Sequence, residues 1–510
     1  MTAAVRSAMR LSLTVLARAA ALTLALAPPV SWAAEKPPEM SPGAEPAPHS
    51  SKVFKPDPSY GDKPYDAAKQ IEIYGGKKNI DEPRPIIEIG RPLYLEGPLA
   101  GGFNVIGRKN LVAPSLQVFG DWRNAVAYND NGRAETAVAA TRLNLDVDLQ
   151  LTSTERIHAL MRPLDQNGQF TRYEFAGENS SKGKFILDGN VDTLFAEGDF
   201  GNILAGITDE YSSFDLPFAA GLMPLIFQNG VWADDAITGF AFAIPARNSR
   251  RLGISNMDIS FFAGFDKVST PAIRDAQNAI ADHNVNVYGV AAFIEANQGY
   301  WEAGIGHIDG EGIFGEQSFT SATVAFTRRY GGWLSNSVRG VWAFGQERGG
   351  NRQQTADGFI LLVENSLITR KPLTFVPYVN LFAGFDRPQS LMRDAGAGGI
   401  LKNTGILFET DGLTNFPKLD DSGQNTYGGA IGIQYLFNLD QQIVVEAASV
   451  QVFEGNLEPG RPARGAQYGV GARYQLPLNR WLIFRADAMH AWRDKDDDLS
   501  GVRSEIRVKF

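Results

Sequence analysis

The sequence predicts an all-β chain: a transmembrane antiparallel β-barrel of about eighteen strands, sixteen being the alternative count, with a short N-terminal periplasmic extension. Three observations carry this. Apolar and polar residues alternate in short segments from about residue 115 to the end. The links between those segments are alternately short and long. No later stretch reaches the roughly 18 consecutive apolar residues of a membrane helix, which leaves strands as the spanning element.

Alternation with period 2 gives a strand two different faces. The clearest case runs from Arg142 to Leu151, where Leu143, Leu145, Val147, Leu149 and Leu151 alternate with Arg142, Asn144, Asp146, Asp148 and Gln150. Met257, Ile259 and Phe261 alternate with Asn256, Asp258 and Ser260, and Tyr468, Val470 and Ala472 with Gln467, Gly469 and Gly471. Further segments are predicted as strands at 202–208 and 236–245, among others. The short links include Thr152 to Thr154, Gly201, 246–251, Asn297-Gln298, Gly331-Gly332, Asp440 and Asn479; the long ones include 209–235, 266–283, 387–425 and 455–464. Short turns at one rim and long loops at the other are the habit of membrane barrels, and an even strand count puts both termini on the periplasmic side. Aromatic residues near strand ends, Trp122, Tyr128, Trp333, Tyr378, Tyr435, Tyr474, Trp481 and Trp492, suit interfacial girdles.

Three regions follow. Residues 1–33 read as a signal peptide: Arg6, Arg10 and Arg18 precede the apolar run Ala19 to Ala27, and Ser31-Trp32-Ala33 offers small residues at the cleavage site. Residues 34–112 are a Pro-rich linker and periplasmic extension, and 113–510 form the barrel. Composition narrows the functions. The 510 residues carry a net charge of −9, and residues 1–33 hold three arginines and no acid, so the remainder stands at −12. No basic footprint for nucleic acid exists. Absence of cysteine excludes disulfides, Cys-ligated metal and c-type haem attachment.

The chain ends Val502-Arg503-Ser504-Glu505-Ile506-Arg507-Val508-Lys509-Phe510, with Ile506, Val508 and Phe510 on one face. This resembles the terminal assembly signal of outer-membrane barrels. The resemblance implies recognition by the barrel-assembly machinery and contact with outer-membrane lipid and lipopolysaccharide. The overall plan is similar to large single-chain Gram-negative porins, in particular the alginate-export porin family. That likeness rests on architecture and implies a fold and a transport role without a substrate. Likeness to general porins implies a homo-trimer.

The expected function is a channel passing small hydrophilic, anionic solutes through a charged lumen. Arg473, Arg485, Arg493, Arg503 and Arg507 point inward from the last strands, while Asp146, Asp148, Asp258, Glu295, Glu302 and Glu364 sit elsewhere with Arg142, Arg329 and Arg339. Opposed walls of unlike charge create a transverse field. For any single residue, bracing by mutual ion pairs is the commoner role. Five cations on adjacent strands nevertheless exceed what Glu505 and Asp487 can pair locally. Segment 209–235, with Phe214, Phe218, Leu222 and Phe227, is too apolar for a solvated loop and is expected to constrict the lumen. Segment 387–425 is a second lid candidate, against a surface loop.

The acidic run Asp494 to Asp498 lacks the full calcium-loop pattern and reads as a solvated loop. The five histidines fall in no metal or catalytic motif, and no GxSxG or P-loop occurs, so no enzyme, cofactor or metal is expected. The alternative function is a barrel sheath or scaffold around a periplasmic partner or exported polymer.

Overall fold

The protein is described from a computed structural model covering residues 83, 85–91, 101–166, 168–177, 180–275, 279–347, 354–372, 374–409, 412–437, 441–453 and 465–510. The segment read as a signal peptide, most of the expected Pro-rich extension, the 455–464 loop and the turn expected at Asp440 lie outside the described residues.

Eighteen strands pair edge to edge into a closed antiparallel ring. They are β1 (Ser115–Asp130), β2 (Glu135–Gln150), β3 (Arg156–Met161 continued by Gln169–Ala176), β4 (Val191–Asp199), β5 (Pro217–Phe227) and β6 (Ala233–Ser249). Next come β7 (Ile254–Asp266), β8 (Val285–Ala296), β9 (Gly299–Gly310), β10 (Phe319–Tyr330), β11 (Leu334–Phe344) and β12 (Phe359–Leu367). The ring ends with β13 (Phe375–Phe385), β14 (Thr426–Phe437), β15 (Gln441–Val452), β16 (Gln467–Pro477), β17 (Leu482–Arg493) and β18 (Leu499–Lys509). Closure comes from β1 against β18, in register from Asp121 opposite Lys509 to Asp130 opposite Ser500. Just below, Gly120 N donates to Phe510 O at 2.7 Å and Phe510 N donates to Gly120 O at 3.1 Å. A short strand, Ile87–Ile89, covers the part of β1 that projects past the C-terminus, with Ile87 opposite Val118.

Two sequence expectations change here. Residues 202–208 are not a strand, and Gly201 is not a tight turn. Phe200–Thr208 form a helix, α1, whose first turn is capped by Asp199 accepting from Asn202 N at 2.8 Å. Three alternate apolar residues in so short a window fit either period. The missing strand is β5, inside the segment expected to be a constriction loop. Its sequence, PFAAGLMPLIF, does not alternate because both faces are apolar. Phe218, Leu222 and Ile226 face outward, while Met223, Leu225 and Phe227 face a packed interior. A strand buried on both faces reads as a continuous apolar run, and this one passed for a loop.

The interior is filled by the chain itself. The connection between β13 and β14, residues 386–425, folds into the barrel. Leu391, Met392, Leu401, Leu407, Phe408, Leu413 and Leu419 on it are almost fully buried, each contributing about 2 kcal/mol of apolar burial. They meet the inner faces of β6, β7, β12, β13, β15 and β17 through Ile237, Phe262, Ile360, Phe382, Val450 and Met489. The segment expected only as a second lid is therefore the element that occupies the lumen. Part of β3 also turns inward between Met161 and Thr171, placing Phe170 against Ala125, Ala127, Val138, Ala140 and Leu413. Of the aromatic residues expected in the girdles, Tyr378 instead faces inward and donates to Glu446.

At the end where β1 begins and the chain finishes at Phe510, residues 101–114 dock on the rim through Glu155. Its carboxylate accepts from Asn110 Nδ2 at 2.8 Å and Thr154 Oγ1 at 2.8 Å, and also from Thr152 Oγ1. Burial pushes this carboxyl up, but the hydrogen bonds from Thr152, Asn110 and Thr154 outweigh it and hold it below its ordinary value.

Two outcomes follow from this architecture. Deleting Phe510 removes the last rung of the closing seam and should lower the yield of heat-modifiable folded barrel in the membrane fraction; unchanged yield would contradict its closing role. The docking of 101–114 should be complete above the ordinary carboxyl range and be lost as pH falls through the depressed value of Glu155. Limited proteolysis against pH reads this, and Glu155→Gln should loosen the segment at neutral pH and abolish that pH dependence.

Candidate permeation site

The charged inner wall forms where β16, β17, β18, β1 and β2 lie side by side. Register puts Arg142 opposite Arg123 and Arg123 opposite Arg507, one row across three strands. A second group sets Asp487 opposite both Arg473 and Arg503, and Arg485 opposite Glu505. Arg473 Nε lies 2.7 Å from Asp487 Oδ1 and Arg485 Nε 2.8 Å from Asp487 Oδ2. Arg507 Nη2 lies 3.2 Å from Glu505 Oε1, and Arg503 also contacts Glu505. Asp121 takes Arg123 at 2.6 Å and stands 3.8 Å from Arg507, while Arg142 lies 3.2 Å from Asp165 of the inward turn of β3.

Local pairing is therefore fuller than the sequence implied. Two of the acids that complete it were not foreseen. Asp165 comes from the inward turn, and Glu409 reaches Arg473 Nη1 at 2.5 Å from the lumen-filling segment. Neither is adjacent in sequence to its partner, so no local pattern could reveal it. Arg493 stands apart at the mouth. Its guanidinium donates to Asp497 O at 2.7 Å and borders a cavity of about 640 Å³ with Arg133, Lys418, Asp420 and Lys495. Asp496 and Asp497, read as an acidic solvated run, face this arginine.

What water meets is unequal. The side chains of Glu505 and Asp487 are 1% and 5% exposed, whereas Arg507 and Arg123 are 27% and 22% exposed. Asp121 at 21% and Glu409 at 41% are exposed beside them, and Arg503 is buried with Glu505. Half-way round the ring the carboxylates are the exposed partners. Arg339 on β11 is 2% exposed between Glu364, at 3.1 Å, and Glu302, at 3.6 Å, and those two carboxylates are 28% and 30% exposed. Asp146 and Asp148 line β2, with Asp148 3.3 Å from Arg156, and Asp258 on β7 accepts from Ala246 N at 2.7 Å. Arginines thus cluster with their acids on β16 to β2, and Glu302 and Glu364 flank a buried arginine on β9 to β12.

The lumen segment is held by named polar bonds. Glu446 on β15 accepts from Leu407 N and Ile406 N at 2.9 Å each and from Tyr378. A Cβ at Gly405 would stand 2.2 Å from that carboxylate, so the backbone approaches it only as glycine. Asn380 donates to Thr404 O at 2.8 Å, Asp420 N to Gln467 Oε1 at 2.9 Å, and Asn129 to Thr414 O at 2.7 Å. At the other side Met392 and Arg393 pair in parallel with Ala233 and Asp234. The buried Arg393 donates to Ser390 Oγ at 3.0 Å and to Val231 O at 3.2 Å. Of the expected constriction residues, Phe214 lies at the terminal end before β5. Phe218 and Leu222 face outward, and Phe227 stacks on Phe262 at 5.4 Å inside the wall.

Closed ring, filled lumen and inward charge define the class: the fold is that of large single-chain outer-membrane porins. No protein-family model matches the chain, and no curated protein matches it. Solved structures do. Pseudomonas aeruginosa OccK2 (OpdF) aligns with a TM-score of 0.50 at 9% identity, covering 78% of this chain and 97% of its own. Pseudomonas aeruginosa OpdQ aligns with a TM-score of 0.50 at 9% identity, covering 78% and 98%.

Glu446→Ala would leave the Ile406 and Leu407 amides buried and unpaired, at a cost of about 2 kcal/mol each. Hydrogen exchange at Leu407 should then run about thirtyfold faster. Exchange unchanged from wild type would show that apolar packing alone seats the segment.

Proposed function

We propose that the chain is an outer-membrane channel for small hydrophilic solutes, with a preference for anions, and that residues 386–425 set its constriction. The observation that supports the anionic preference is the row Arg142, Arg123 and Arg507 on three adjacent strands, in which Arg123 and Arg507 keep 22% and 27% of their side chains exposed. An anion moving along β16 to β2 exchanges hydration for bidentate contacts, and Glu302 and Glu364 turn it toward that wall. The periplasmic side is the end where β1 begins and β18 finishes, and the long connections belong outside. The sheath alternative finds less support, because the chain's own segment occupies the space an enclosed partner would need.

Purified protein in planar bilayers tests the reading. It should conduct and select anions over cations. Arg507→Ala and Arg485→Ala should shift the permeability ratio toward cations, each by roughly fivefold if about 1 kcal/mol of aqueous Coulomb energy is lost. Absence of current above lipid background would refute the channel, and a ratio unmoved by both substitutions would refute the role of the arginine wall.

A further inference from the structure

Helix α1 presents an apolar face that the barrel does not use. Gly201, Ala205 and Gly206 turn toward the protein: a Cβ at Gly201 would meet Phe214 O at 1.7 Å, and one at Gly206 would meet Asn110 and Ile106 at 3.0 Å. The other face carries Phe200, Leu204 and Ile207, at i, i+4 and i+7, exposed by 47%, 43% and 68%. The helix, FGNILAGIT, contains no charged residue. A helix facing water would carry polar residues there.

This face continues the outer wall of the barrel. The Phe200 ring stacks on Phe218 with centroids 4.3 Å apart, and Phe218 begins the outward row of β5 that runs on through Leu222 and Ile226. Phe103 and Val105, on the segment docked against α1, are also exposed. At the far edge of the face, Lys109 Nζ stands 4.1 Å over the Tyr211 ring, and Arg108 N donates to Asp209 Oδ1 at 3.2 Å. Lys109 is thus placed where an apolar surface meets a layer of phosphates.

We propose that α1 lies in the interface of the periplasmic leaflet, with Phe200, Leu204 and Ile207 among glycerophospholipid acyl chains and Lys109 at the phosphate level. The occupant is lipid because the helix face and the outward wall of β5 form one uninterrupted apolar surface, and one surface meets one solvent. The inference rests on the membrane-spanning reading of the barrel.

The chain contains no cysteine, so single-cysteine variants carry a spin label at one known place. Leu204→Cys and Ile207→Cys report on the helix, Asp209→Cys on its edge, and Ile431→Cys on the outward wall of β14. The folded variants are reconstituted in phosphatidylethanolamine–phosphatidylglycerol vesicles, and collisions with oxygen and with a water-soluble nickel complex are compared. Labels at 204 and 207 should match 431, with an oxygen-to-nickel ratio several-fold above that at 209. If 431 reports lipid while 204 and 207 match 209, the helix faces water or a protein and the inference is overturned. If 431 itself reports water, the membrane reading fails instead. Reaction of the same cysteines with a polar maleimide in intact vesicles repeats the comparison without a spin label: fast labelling at 204 and 207 overturns the proposal, and protection equal to that at 431 supports it.

Discussion

Every other feature depends on closing the backbone hydrogen-bond ring. Hydrocarbon offers no partner to an amide or a carbonyl, so a spanning sheet must have no free edge. The rungs from Asp121–Lys509 to Asp130–Ser500 meet that demand, with Gly120 and Phe510 sealing the last position. The C-terminal residue is therefore structural twice over, as an outward apolar group and as a backbone partner. Closure also brings the arginines of β17 and β18 beside those of β1 and β2, residues that stand almost four hundred positions apart.

A closed ring of eighteen strands is too wide for its own side chains to fill. The protein fills it with a segment rather than with larger residues. One part of the wall is apolar and receives Leu391, Met392 and Phe408. Another part is charged and meets the same segment through Glu409. Glu446 shows how the two requirements combine, since one buried carboxylate satisfies two amides of the segment and a tyrosine of the wall. The segment is thus fixed by groups on β1, β6, β13, β15 and β16, and the charged surface left uncovered is confined to defined sectors.

Most of the ring was legible locally. Arg142 to Leu151 alternates because one face meets lipid and the other an aqueous, charged interior, and that contrast is written residue by residue. Legibility failed where the contrast vanished. β5 is apolar on both faces, so it lost its period. α1 is short, and its three alternate apolar residues imitated a strand. The total of eighteen survived because the helix was counted in place of β5. For the site, the inward direction of Arg473, Arg485, Arg503 and Arg507 followed from the same alternation, but their partners did not. Asp165 and Glu409 arrive from excursions of the chain that carry no periodic signal.

The sequence by itself determined that the chain makes a barrel, which face of most strands turns inward, and that the last strands are rich in arginine. Periodicity is a local property, set by the pleat, and needs no knowledge of neighbours. Only the tertiary structure decided which segment enters the lumen, which acids pair with the arginines, and that Glu302 and Glu364 flank a buried arginine. Those outcomes depend on strand register and on long-range packing, where residues distant in sequence compete for the same interior space.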